Sequence, residues 1–141
     1  MRLVLDSCVA LKWVLPEADS ATALRLRDDA RAGRHDLLAP DILSVEVAHA
    51  LARAERRGLI PTGLAAPYLA SVMTVPVALS SYLPLLDRAL AIASSARIGV
   101  YDCLYVALAE QDGCPLVTAD DRLVRTLSAQ FPFIVPLASL P

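Results

Sequence analysis

The sequence has 141 residues, thirteen basic against fifteen acidic, with a formal net charge of −2. That length fits a single domain, 1–141, with a real core: a chain of this size buries roughly 70% of the surface its unfolded form exposes. The 56% of apolar residues argue against disorder, and the near-neutral balance neither advertises nor excludes a nucleic-acid partner.

Arg2 to Leu5 reads as a short first strand ending at Asp6-Ser7, and Val9 to Leu15 as a short helix stopped by Pro16. Asp19 or Ser20 is expected to cap a second helix running to about Gly33. "DLLAP" (36–40) is a strand, after which Asp41 caps a long helix through Arg57, stopped by Gly58. A weaker helix over about 62–74 is expected to bend at Pro67. "VPVAL" (75–79) suits an edge strand, because its proline cannot donate to a ladder. A helix from about Tyr82 to Arg97 follows, then the almost wholly apolar "YDCLYVALAE" (101–110), a helix that belongs in the interior. "PLVT" (115–118), a helix over 121–129 and "FIV" (133–135) complete the chain. Strands alternating with helices predict an α/β fold: a short-stranded, mainly parallel central sheet covered by helices.

Cys8, Cys103 and Cys114 form no C-x-x-C pair and are odd in number, which argues against a disulfide framework or a zinc site. Asp6 interrupts the first apolar run, so no signal peptide is expected. From Gly58 to Leu86 there is no charge, yet four prolines break the stretch, and no run of about 18 apolar residues suggests a membrane span. The expectation is a cytoplasmic protein.

The carboxylates carry the chemistry. Asp6 ends the first strand and Asp120 follows a later one, so a parallel sheet brings both to its carboxyl edge. Glu46 lies mid-helix, where no capping rule explains it, and Asp102 opens the buried helix. Each Asp taken singly also suits a helix N-cap. Four carboxylates within about 4 Å of one another repel by roughly 4 kcal/mol per pair at an effective dielectric near 20. A divalent cation neutralises such a cluster, and oxygen-only donors favour Mg²⁺ or Mn²⁺. The matching chemistry is phosphodiester hydrolysis by an activated water. Ser7 and Thr118 adjoin the acids and could orient that water; the alternative is a hydrogen bond to nearby backbone.

"LVLDSCVALKWVLPE" (3–17), "LLAPDILSVEVAHAL" (37–51) and "GVYDCLYVALAEQDGCPLVTADDRL" (99–123), in that order, resemble the PIN-domain ribonucleases, and among them the VapC toxins of prokaryotic toxin–antitoxin systems. The resemblance covers nearly the whole chain and implies a PIN-like α/β/α sandwich. Carried over residue by residue, the family's acids fall on Asp6, Glu46, Asp102 and Asp120, as catalytic residues and Mg²⁺ or Mn²⁺ ligands. It implies an endoribonuclease toxin acting on structured RNA such as tRNA or rRNA, a VapB-type antitoxin that blocks the site, and a homodimer. Cys8 stands where Ser or Thr is more usual. Asp121 offers a second candidate for the fourth acid; the spacing from Thr118 favours Asp120 and leaves Asp121 to cap the next helix.

Arg53 and Arg57 share a helical face with Glu46, with His49 between, and form a candidate path for a phosphate backbone. The competing reading is a solvated face whose basic residues suit the helix C-terminus. Lys12, the only lysine, either helps neutralise the acidic pocket or lies on the surface beside Trp13. The uncharged 58–86 segment predicts an apolar patch covered by a second subunit or by the antitoxin. Two other classes stand against the ribonuclease: a non-catalytic PIN-fold module that binds RNA or protein, and a metal-dependent DNA nuclease. A receiver-like or phosphatase domain wants a second acid beside the first or a late lysine, and neither is present; P-loop and G-x-G-x-x-G turns are absent too.

Overall fold

The computed structural model describes residues 1–141. Its strands are β1 (Arg2–Leu5), β2 (Asp36–Pro40), β3 (Val77–Ser80), β4 (Leu116–Thr118) and β5 (Ile134–Pro136), all paired in parallel in the order β3-β2-β1-β4-β5. Seven helices cover this sheet in an α/β sandwich: α1 (Ser7–Leu11), α2 (Ser20–Arg31), α3 (Leu43–Arg56), α4 (Ala65–Met73), α5 (Leu86–Ala96), α6 (Val100–Asp112) and α7 (Asp121–Leu127). The chain builds outward from β1 through β2 to β3, then returns to lay β4 on the other side of β1. That reversal opens a crevice between the carboxyl ends of β1 and β4, the place where parallel sheets bind ligands.

Central strands buried on both faces read as apolar runs, and β1, β2 and β4 do. α6 packs on β1, β2 and β4 and against α5, and every residue from Cys103 to Ala109 is buried. Val4, Leu5, Val9, Val47, Leu51, Leu116 and Leu123 join it in one continuous core. β3 is an edge strand, as its proline predicts, although Pro76 precedes the ladder.

Several local expectations are corrected. Asp41 does not cap α3; its Oδ1 accepts from the Tyr82 N–H at 3.1 Å and ties the end of β2 to the turn after β3, and α3 starts from Ile42. Asp19 occupies the N-cap position of α2 but makes no side-chain cap bond, and the Ser20 hydroxyl instead accepts from the Glu17 N–H and donates to the Leu15 carbonyl. α1 ends at Leu11, and the chain to Leu15 continues as turns while the Trp13 indole donates to the Ala23 carbonyl. Pro67 is the third residue of α4, where no amide hydrogen is needed, so it marks the first turn and bends nothing.

Candidate active site

β1 ends by delivering Asp6 into the crevice. Asp6 and Thr118 are both buried, and they bond to each other. Thr118, the last residue of β4, donates its hydroxyl to Asp6 Oδ2 at 2.8 Å and accepts the Asp120 N–H at 3.0 Å. Cys8 Sγ lies 3.6 Å from the same Thr118 oxygen and accepts the Ala119 N–H at 3.3 Å. The hydroxyl's hydrogen is therefore committed, and its lone pairs face one backbone donor and one thiol. Of the two roles open to Thr118, backbone bonding is realised, together with a bond to the acid. Burial, then the Asp6 charge, push the Cys8 thiol up, so it stays a neutral thiol and no thiolate ligand.

The fourth acid reverses an expectation. Asp120, not Asp121, caps α7: its Oδ1 accepts from the N–H groups of Arg122 and Leu123 at 3.0 and 3.2 Å. Asp121 is the exposed first residue of that helix. Asp102 is no cap either. Gly99 occupies the N-cap of α6, and Asp102 sits in the first turn without a side-chain cap bond. The positive helix end favours its charge, but no hydrogen bond accounts for it. Asp6, at the N-cap position of α1, likewise makes no cap bond and spends its side chain on Thr118.

Asp102 and Asp120 line one small cavity of about 60 Å³ with Gly99, Arg122 and Leu123. Glu46 comes from the other side, on α3, and Tyr105 of α6 donates its hydroxyl to Glu46 Oε1 at 2.6 Å. The four acids feel one another. Burial lifts Asp6 to about 7, offset by its Thr118 bond and reinforced by the charges of Asp102 and Glu46. Burial, then the charges of Asp120 and Glu46, lift Asp102 to about 6, against a lowering by Arg122. None of the four is in an ion pair; every such pair in the protein lies elsewhere.

Mutually repelling carboxylates, one of them buried and none paired with a cation, make a donor set suited to a hard divalent ion. No three His, Cys, Asp or Glu side chains converge to enclose an ion with protein donors alone. Mg²⁺ does not require that, since it keeps several waters and is commonly held by one or two carboxylates. The donor set therefore fits Mg²⁺ or Mn²⁺ in a largely hydrated form.

Two site residues were not singled out from the sequence. Tyr105 stands three positions after Asp102, on the same helical face, as a lone polar tip in an apolar run. Arg122 follows the two consecutive aspartates and is the basic residue whose charge acts on Asp102. Lys12 is half-buried at the end of α1 and makes no ion pair. His49 and Arg53 are exposed on α3 and Arg57 is exposed at its C-cap; His49 lines an opening with Val45, Glu46 and Tyr101.

Beside Glu46 an apolar cavity of about 310 Å³ runs between Ile42, Val45, Tyr82, Leu86, Val100, Tyr101 and Leu104. Around it Val45, Leu83, Leu90 and Tyr101 are more than half exposed (68%, 64%, 56% and 59%). The 58–86 segment accounts for part of this apolar surface, and α3, α5 and α6 supply the rest. The largest cavity, about 480 Å³, is at the opposite edge of the sheet against Arg2, His35, Asp36 and Val77, away from the four acids. No helix is long and apolar enough to cross a membrane.

Comparison with known proteins agrees with this architecture. The PIN-domain family model matches residues 3–127. The chain is 35% identical over 137 residues to Ribonuclease VapC3 of Pyrobaculum aerophilum, covering 96% of this chain and 98% of that one. Among solved structures, PAE2754 of Pyrobaculum aerophilum superposes with a TM-score of 0.72 at 21% identity, covering 99% of this chain and 94% of the other. VapBC2 of Rickettsia felis, solved bound to a DNA fragment from its promoter, superposes with a TM-score of 0.61 at 11% identity, over 96% and 97% of the two chains. At these identities the two structural likenesses are likenesses of fold.

Proposed function

The chain belongs to the PIN-domain family and, within it, to the VapC group, and on that premise we propose that it is a cytoplasmic endoribonuclease toxin that hydrolyses RNA phosphodiester bonds with Mg²⁺ or Mn²⁺. The observation that supports the reading is the electrostatic coupling of Asp6 to Asp102 and Glu46, and of Asp102 to Asp120 and Glu46, with none of the four in an ion pair. Structured RNA, tRNA or rRNA, is the proposed substrate. The relative named for ribonuclease activity and the VapBC2 neighbour support a nuclease with a VapB-type antitoxin as its inhibitor. The exposed apolar surface beside Glu46 supports a homodimer and a docking groove for that antitoxin.

One or two of the four carboxylates would hold the cation directly and the others through its waters; when bound, the cation lowers the pKa of water and stabilises the leaving oxygen. The protein's own contribution is positioning. Thr118 fixes one oxygen of Asp6 and the backbone ahead of Asp120, so the two strand-end acids keep a constant separation. The α7 N-terminus holds Asp120 by two amide hydrogens. Arg122, at the mouth of the Asp102–Asp120 cavity, offers positive charge to a phosphate arriving there.

The test is incubation of purified, antitoxin-free protein with total RNA and with duplex DNA, each with Mg²⁺ and with chelator, followed by sequencing of the new ends. Mg²⁺-dependent cuts in RNA at defined positions are expected. Cuts in DNA alone would replace the substrate class, and no metal-dependent cleavage by folded protein would leave a binding module.

A further inference from the structure

Three of the four acids are short or tied to backbone geometry. Asp6 Oδ2 is held by Thr118, Asp120 Oδ1 by two amide hydrogens, and Asp102 stands in the first turn of α6. Glu46 differs. It has the longest stem, projects from the first turn of the chain's longest helix without a cap bond, and borders open cavities lined by Val45, His49 and Tyr101. Three free torsions would let its carboxylate swing into that opening.

One contact prevents this. Tyr105 is fully buried on α6, and its hydroxyl reaches across 59 residues of sequence to Glu46 Oε1 at 2.6 Å. A buried phenol must find a partner. Here the partner is a candidate ligand on another helix, and no other hydrogen bond of the protein involves the Glu46 side chain, so Oε2 is left free. The same helix face carries Asp102 three residues earlier, so α6 sets two acids at once: one directly, one through the phenol.

We infer that Tyr105 is the positioning residue for the Glu46 carboxylate, holding Oε1 so that Oε2 is presented to a divalent cation. This rests on the cation-binding reading above. Partners that orient a metal ligand typically set affinity by about 10–100-fold. Tyr105 thereby acts on cation affinity through Glu46 and touches neither substrate nor cation.

The experiment is calorimetric titration of the full chain with Mn²⁺, using wild type, Tyr105→Phe, Glu46→Ala and the double variant, with a thermal melt to verify folding. Phe fills the same slot without the hydroxyl, and Tyr105→Leu serves as a second donor-less variant if Phe perturbs the core. Tyr105→Phe is expected to weaken Mn²⁺ by about tenfold or more, and to cause no further loss once Glu46 is Ala. Unchanged affinity in folded Tyr105→Phe overturns the inference, as does an equal loss with and without Glu46. Both of those outcomes leave the cation site standing if Glu46→Ala weakens Mn²⁺. Failure of wild type to bind Mn²⁺ overturns the site and the inference together.

Discussion

Thr118 Oγ1 donates to Asp6 Oδ2 at 2.8 Å, joining two buried polar side chains across the β1–β4 seam. The same oxygen accepts the Asp120 N–H, so one hydroxyl serves two acids. Thr118→Val keeps the shape and removes both bonds. We expect a loss of about 1–3 kcal/mol in urea unfolding, the usual cost of leaving a buried polar group without its partner, together with weaker cleavage. Thr118→Ser restores the hydroxyl and should recover most of both. A Val variant as stable and active as wild type would show that the seam does not need the bond.

The buried Asp6 makes stability depend on pH with a definite sign. Its folded-state pKa is raised to about 7 from 3.8, so between those values the folded protein keeps a proton that the unfolded chain releases. Stability is then fully present below about pH 4 and is lost as pH rises through about 7, and Asp102, raised to about 6, adds in the same direction. For Asp6 the effect is on the order of 2–4 kcal/mol. Melting temperature in chelator should fall from about pH 4 to 7, flatten in Asp6→Asn, and be restored at pH 8 by Mg²⁺ through binding to the folded state. A profile that is flat or rises over this window in chelator contradicts the picture.

Asp120 and Asp102 divide two roles that an aspartate at a helix start can play. Asp120 caps α7 with its side chain and Asp102 caps nothing. Asn caps about as well as Asp but brings no charge. Asp120→Asn should therefore keep stability while Asp120→Ala loses about 1 kcal/mol, and both should lose cleavage by about 100-fold or more. Asp102→Asn should be neutral or stabilising, since it removes a carboxylate repelled by Asp120 and Glu46, and equally inactive. Melting curves beside single-turnover cleavage read stability and activity for the three variants. A cleaving Asp102→Asn would remove that residue from the site.

The sequence was legible where one residue type has one dominant physical use. Apolar runs in short strands announced a buried parallel sheet, and Pro76 announced an edge; the order β3-β2-β1-β4-β5 was not legible, because strand pairing is set by tertiary packing. Glu46 was read as a mid-helix charge, but α3 starts late enough to put it in the first turn, where the helix dipole favours an acid; its bond to Tyr105 is what sets it apart. Caps were the weak point, because Asp and Ser bond equally well to several nearby groups. Asp41 found the Tyr82 amide and Ser20 the preceding turn, both contacts that depend on tertiary placement or turn shape. Tyr105 was read as core because its burial is what sequence reveals; its hydroxyl's partner lies on another helix.

Arg53 is exposed on α3, the helix that carries Glu46, and Arg57 is exposed at its C-cap; neither is in an ion pair. If they track a phosphate backbone, reversing both to Glu should weaken RNA binding and reduce the slope of log affinity against log salt by roughly 1.4–1.8, the counterions of two phosphates. Cation affinity should not change. Fluorescence anisotropy with a labelled RNA at several salt concentrations measures the slope. An unaltered slope assigns the two arginines to an ordinary solvated helix end.

Leu83, Leu86 and Leu90 follow one another at helical spacings of three and four and leave an apolar face uncovered, with Leu83 and Leu90 64% and 56% exposed. Such a row costs nothing to replace in an isolated monomer, because its side chains already face water. It is costly to replace in a dimer, where each Leu withdrawn from an interface forfeits about 1.5–3 kcal/mol. Leu83→Glu with Leu90→Glu, the two exposed members of the row, should thus leave the melting temperature of the monomer unchanged while raising the dimer dissociation constant by about 100-fold or more. Sedimentation velocity across a concentration series reads this directly. Antitoxin binding measured on the same variant separates the two partners: retained binding assigns the leucine row to self-association and leaves the Val45–Tyr101 groove to the antitoxin, whereas joint loss makes one surface serve both. A wild-type chain that stays monomeric at every concentration removes the dimer and keeps only the second use.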